Sequence, residues 1–106
     1  MLTVRFGDNL PILRAMRAER FDLIYVDPPF NTGKTQFRRR FRTENGRKVA
    51  EDSFGYADPF DDFIAFLRPR MEEARRVLKP AGSLFLHLDF REVHYAKVML
   101  DGIFGR

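Results

Sequence analysis

A chain of 106 residues, 44% hydrophobic and with 12 phenylalanines, can bury one core, so a single globular unit is expected and no repeat array. It has no cysteine, which excludes disulfides and thiolate metal sites, and its two histidines and scattered acids form no ligand pattern, so no metal is predicted. No stretch has the apolar length of a membrane span and no signal-peptide series opens the chain, which predicts a cytoplasmic protein; the net charge of +4 is less informative than where the charges lie.

In chain order, Leu2, Val4 and Phe6 alternate with Thr3 and Arg5 as a short strand. Gly7-Asp8-Asn9 turns it, with Asn9 as helix cap, and a helix follows through Leu10, Leu13 and Met16. Residues 22–26 form an apolar run of the length and composition of a buried parallel strand. Between Lys34 and Lys48 lie Arg38, Arg39, Arg40, Arg42 and Arg47 against a single acid, Glu44. With Asn45-Gly46 and no sustained apolar period, this segment predicts a mobile basic loop over about 34–57. A second helix is expected from Asp58-Pro59, with Phe60, Phe63, Ile64, Leu67, Met71, Ala74 and Leu78 on one face, a kink at Pro69, and an end at Lys79-Pro80-Ala81-Gly82. Ser83–Leu88 reads as a third strand, and Glu92–Phe104 as a third helix closed by Gly105. Strands alternating with helices predict an α/β fold: a parallel sheet of about three strands with flanking helices.

The strand at 22–26 stops at Asp27-Pro28-Pro29-Phe30, because proline donates no backbone hydrogen bond. Asp27 therefore stands at a strand's carboxyl end, outside which ligands bind in open α/β sheets. A carboxylate and proline carbonyls offer acceptors only, and a ring beside them can stack on a flat base, so the tetrapeptide suits a planar amine. The structural alternative has Asp27 merely opening the turn by bonding local amides. In a parallel sheet Asp8, Asp27 and Asp89, each following a strand, would gather on one carboxyl rim. His87 and Asp89 alternate onto one face as a His-Leu-Asp unit, which a hydrogen-bonded structural pair also explains. His94 and Tyr95 read as packing residues.

Two rival functions have some sequence support. Asn31-Thr32-Gly33-Lys34-Thr35 imitates the end of a phosphate-binding loop, but Pro28 occupies the position of its first glycine, and Pro28 and Pro29 remove amides that a phosphate nest needs. A non-enzymatic DNA-binding module, or an inactive remnant, accounts for the basic segment but not for the Asp-Pro-Pro-Phe strand end. The charge run itself is either a solvated surface loop or a phosphate-contacting one.

The tetrapeptide resembles the catalytic signature of the amino-methylating DNA methyltransferases, Asp/Asn/Ser-Pro-Pro-Tyr/Phe/Trp. Gly7-Asp8-Asn9, Leu23 to Lys34, Glu73 to Asp89, and His94-Tyr95 through Gly105 look like the adenine-type, restriction–modification members that carry this motif near the N-terminus; the likeness is weakest at 35–57. The resemblance implies a partial Rossmann-like methyltransferase fold, S-adenosylmethionine as cofactor and double-stranded DNA as partner. It implies that Asp27, Pro28, Pro29 and Phe30 are catalytic, and that Asp8, Asn9, Asp27 and Asp89 bind the cofactor. Lys34, Arg38, Arg39, Arg40 and Arg42 would meet DNA. Members of the family carry a glycine-rich Phe-x-Gly-x-Gly segment, whereas the seven glycines here stand at 7, 33, 46, 55, 82, 102 and 105. Residues 1–106 are therefore expected to be the N-terminal catalytic part of such an enzyme, lacking the target-recognition region and the glycine-rich motif. The chain alone is expected to be inactive, and a complementing C-terminal half or a second copy is left open as partner.

Overall fold

The computed structural model describes residues 1–29, 35–38, 41–50, 54–57 and 62–106. In chain order the elements are α1 (Asn9–Arg14), β1 (Phe21–Val26), β2 (Thr35–Arg38), β3 (Phe41–Glu44), β4 (Arg47–Ala50), β5 (Phe54–Ala57), α2 (Phe63–Val77), β6 (Leu78–Leu86) and α3 (Val93–Phe104). The fold is α/β. β1 and β6 pair in parallel, and α2 lies on the connection between them.

The α2 stripe forms because its apolar residues recur every three or four positions: Phe63, Leu67, Met71, Ala74 and Val77 are all buried. Asp62 caps its start by accepting from Ala65 N–H at 2.9 Å. The helix continues through Pro69, which supplies no N–H for the Ala65 carbonyl. Residues 19 and 20 close the other end, where Glu19 N–H donates to the Arg76 carbonyl at 3.0 Å and Arg20 N–H to that of Val77 at 2.7 Å. From α3 come Ala96, Met99 and Ile103, and Ile24, Val26, Leu84, Leu86 and Leu88 from the sheet strands and the turn after β6 pack against the same cluster. The sheet thus buries one face under α2 and α3. Its other face, with Leu23, Tyr25 and Phe85, is exposed.

Several expectations are corrected. The parallel sheet has two strands among the described residues, not three, because residues 1–6 form no strand and Leu2, Val4 and Phe6 are exposed. Alternation marks a strand only where a neighbour takes up its backbone bonds, and none does here. The cap of α1 is Asp8, whose carboxylate accepts from Leu10 N–H at 3.2 Å, and Asn9 is the first helical residue. β6 begins at Leu78, directly after α2, instead of at Ser83. Its first part is irregular: Phe21 faces Leu78 and Leu23 faces Ser83, so the stretch 79–82 bulges opposite Asp22. A Cβ at Gly82 would stand 3.0 Å from the Asp22 carbonyl and 2.7 Å from Leu78 Cδ1, so any larger residue would have to displace the Leu78 side chain, and glycine fits without that.

Where it is described, the segment expected as a basic loop contains two antiparallel strand pairs. β2 pairs antiparallel with β5, and β3 with β4, the inner turn being Asn45-Gly46. Both turn residues have positive φ, +50° and +76°, as a two-residue hairpin turn requires. The expected helix start at Asp58-Pro59 lies outside the described residues, as do Phe30, Lys34, Arg39 and Arg40. No helix among the described residues is long and apolar enough to cross a membrane.

Candidate active site

Asp27 leaves the sheet at the carboxyl end of β1, and its side chain is 59% exposed. Because β1 and β6 are parallel and in register at Val26 and Leu86, the next residue on each strand, Asp27 and His87, come together. His87 N–H donates to the Val26 carbonyl at 2.9 Å, which carries the ladder one step past the end of β6. His87 Nδ1 then lies 3.5 Å from Asp27 Oδ1 and 3.2 Å from the Tyr25 hydroxyl. With its proton on Nε2 the neutral imidazole accepts from the Tyr25 hydroxyl there; with a proton on Nδ1 it presents that N–H to the two oxygens.

Beside Asp27, Pro28 and Pro29 is a cavity of about 360 Å³. Its apolar wall comes from Leu13, Ile24, Val26 and Phe66, and its polar groups include Asn9, Asp27 and Arg70. Apolar lining with a few convergent polar groups is the usual make-up of a small-molecule site. Asp8 reaches this place through Arg70: Nη2 donates to Asp8 Oδ1 at 3.0 Å while Nε donates to Asn9 Oδ1 at 3.0 Å. The Leu10 N–H, and then Arg70, hold the Asp8 carboxyl below the ordinary aspartate value of 3.8.

That depression has a direction in stability. A carboxyl whose pKa is lower in the folded state contributes stability at pH above its ordinary value of 3.8, and loses it as pH falls through the depressed one. Asp8→Asn keeps an oxygen to cap Leu10 and removes the charge. The melting temperature of wild type should therefore exceed that of Asp8→Asn at neutral pH and converge on it below 3.8. A gap that persisted unchanged into acid would contradict the ionised Asp8 pair.

The remaining site expectations are distributed as follows. Asp89 is held by its neighbour: its Oδ1 accepts from Arg91 N–H at 2.9 Å, and its Oδ2 pairs with the Arg91 guanidinium. His87 makes its contacts across the strands, with Tyr25 and Asp27. Among the residues of the basic segment, Arg38 ends β2 and Arg42 lies in β3. In the imitated phosphate loop, Thr35 begins β2 and the rest lies outside the described residues. Sequence reasoning missed Arg70 altogether. No local pattern signals a contact between positions 62 apart, although a parallel register alone would have placed His87 beside Asp27.

Comparison with known proteins gives a consistent answer. A DNA methylase family model matches residues 21–106. The chain is similar to the Mod subunit of the type III restriction-modification enzyme StyLTI of Salmonella typhimurium, at 34% identity over 93% of this chain and 18% of that protein. It is similar to the type II methyltransferase M.KpnI of Klebsiella pneumoniae, at 31% identity over 97% of this chain and 24% of that protein. Against the DNA adenine methyltransferase YhdJ of Escherichia coli the identity is 34%, over 79% of this chain and 24% of that protein. The chain thus spans about a quarter or less of the length of these relatives, and no solved structure matches it. With a match over residues 21–106, which include the Asp27-Pro28-Pro29 strand end, the chain belongs to the DNA methylase family.

Proposed function

We propose that residues 1–106 are the catalytic part of a site-specific DNA methyltransferase that methylates the exocyclic amine of a flipped base, adenine N6 in particular. The observation that carries this reading is the strand end itself: Asp27, Pro28 and Pro29 line one cavity at the carboxyl edge of a parallel sheet. Family membership and the similarity to type III Mod subunits and to a DNA adenine methyltransferase support it.

S-adenosylmethionine is the methyl donor of this reading, and the donor set beside the cavity suits its adenosine half. Asp8, held through Arg70, can accept hydrogen bonds, the Asn9 amide can donate and accept them, and Leu13, Ile24 and Phe66 offer an apolar wall to a flat base. A glycine-rich cradle for the methionine half does not occur in this sequence. The cofactor supplies, when bound, an electrophilic methyl on a sulfonium sulfur.

The chain's own residues then orient the nucleophile. The Asp27 carboxylate and the Pro28 carbonyl accept the two amine hydrogens, and Phe30 stacks on the base. Those bonds aim the nitrogen lone pair at the methyl carbon. As the N–C bond forms and the S–C bond breaks, the amine becomes acidic and its proton passes to Asp27 or to water. Lys34, Arg38, Arg39, Arg40 and Arg42 supply phosphate contacts that hold double-stranded DNA without reading its sequence. The exposed Leu2, Val4 and Phe6 and the open face of β1 and β6 fit a larger Rossmann-like sheet, completed by a C-terminal half that also brings target recognition.

The test is the modified base. The protein as its gene encodes it, incubated with labelled S-adenosylmethionine and unmethylated DNA, should yield N6-methyladenine on nucleoside digestion. N4-methylcytosine would overturn the choice of base, and tight ATP binding with no response to S-adenosylmethionine would overturn the reading.

A further inference from the structure

Arg70 sits near the middle of α2 and spends its guanidinium on α1 and on its own helix. Beyond the bonds to Asp8 and Asn9, Nη1 donates to the Phe66 carbonyl at 2.6 Å, and the guanidinium carbon lies 3.9 Å from the centroid of the Phe66 ring. The side chain is only 12% exposed, whereas that of its partner Asp8 is 59% exposed. The planar fork of arginine suits this set of contacts, because one rigid group can stack on a ring and donate in several directions at once.

The small, pH-dependent stability that the pair adds does not account for its place beside the cavity. An ion pair with one exposed partner contributes little. The α1 region is fastened to α2 without it: Arg76 Nη2 donates to the Leu13 carbonyl at 2.9 Å, and Glu19 and Arg20 bond the last carbonyls of α2. What Arg70 adds is orientation. It ties Asp8 to Asn9, and Asn9 lines the cavity together with Arg70 itself, Asp27 and Pro28. Both donors to Asp8 end on Oδ1, and a carboxylate has further acceptor capacity on its other oxygen.

Building on the methyltransferase reading, we propose that Arg70 is a positioning residue for the cofactor: it holds the Asp8 carboxylate oriented, beside Asn9, to accept a hydrogen bond from the adenosine half of S-adenosylmethionine. Arg70 touches neither the methyl group nor the base. Its loss therefore weakens the hold on the cofactor and leaves the chemical step and the hold on DNA intact.

The experiment uses the protein as its gene encodes it and compares wild type, Arg70→Ala, Arg70→Lys and Arg70→Gln. Binding of S-adenosylmethionine is followed by calorimetry, methyl transfer by steady-state kinetics, and folding by thermal melting. Losing an oriented charge-assisted acceptor corresponds to a rise on the order of tenfold or more in Kd and in KM for S-adenosylmethionine. Arg70→Lys, which keeps the charge but not the fork, should recover part of that loss. With saturating cofactor, kcat and the KM for DNA should stay near wild type. A Kd for Arg70→Ala indistinguishable from wild type overturns the inference and leaves the methyltransferase reading standing. A collapse of melting in both Arg70→Ala and the stem-preserving Arg70→Gln also overturns it, since Arg70 would then hold the fold. If wild type itself binds no S-adenosylmethionine, the methyltransferase reading falls and takes the inference with it.

Discussion

In the protein as its gene encodes it, and on the proposed methyltransferase reading, Asp27→Ala is expected to lower methyl transfer on the order of a thousandfold or more, with the melting temperature close to that of wild type. The two halves of that expectation come from different features. The side chain is 59% exposed and stands past the end of β1, outside the cluster that α2 and α3 bury, so its removal opens no cavity. Its carboxylate, however, is the charged acceptor at the cavity, and preorganised groups of that kind contribute most of the stabilisation when charge develops on a reacting atom. His87, 3.5 Å away, does not replace it, because an imidazole in its neutral form carries no negative charge and has one acceptor nitrogen where a carboxylate has two acceptor oxygens. The measurement is kcat at saturating DNA and cofactor, with melting recorded on the same samples. Retained activity within tenfold of wild type would remove Asp27 from the chemistry.

The largest effect on stability is expected at Leu67, which is 1% exposed in the middle of the α2 stripe. Leu67→Ala removes a branched side chain from a cluster bounded by α3 on one side and by β1 and β6 on the other, and rigid walls on two sides limit collapse into the void. The cost should be about 2–5 kcal/mol, the range for large-to-alanine changes in a packed core. Urea unfolding of the two proteins under identical conditions reads it directly. Arg68→Ala, one residue along on the exposed side of the same helix, is the control and should cost far less. Equal costs at the two positions would mean that the buried layer has been wrongly placed.

The parts of this molecule legible in the sequence are those with a local cause. The α2 stripe follows from spacing alone, and the end of β1 from prolines that cannot continue a ladder. Punctuation misled where it acts within a strand: Pro80 and Gly82 suggest a turn after a helix, yet they sit in the bulge of β6, where a proline owes no ladder bond and a side chain would press on Leu78. In the arginine-rich segment charge hid a hairpin, even though Asn45-Gly46 is a strong two-residue turn signal. Leu2, Val4 and Phe6 went the other way, since alternation suggests pairing without supplying a partner. At the site, Asp27 and the prolines were visible as a motif, while Arg70 and the cross-strand position of His87 depend on tertiary contacts that no window of sequence contains.

The separation of the two paired strands along the chain also orders events in time. Tyr25 and His87 are 62 positions apart, whereas the β3–β4 hairpin closes over two residues and the helices need only local contacts. Distant pairing incurs its loop-closure entropy before any ladder bond forms, so the β1–β6 seam is expected to zip after the local elements are in place. The corner where Asp27 meets His87 would then be among the last parts of this chain to assemble and among the first to come apart. Any ligand held across that seam would act as a brake on unfolding.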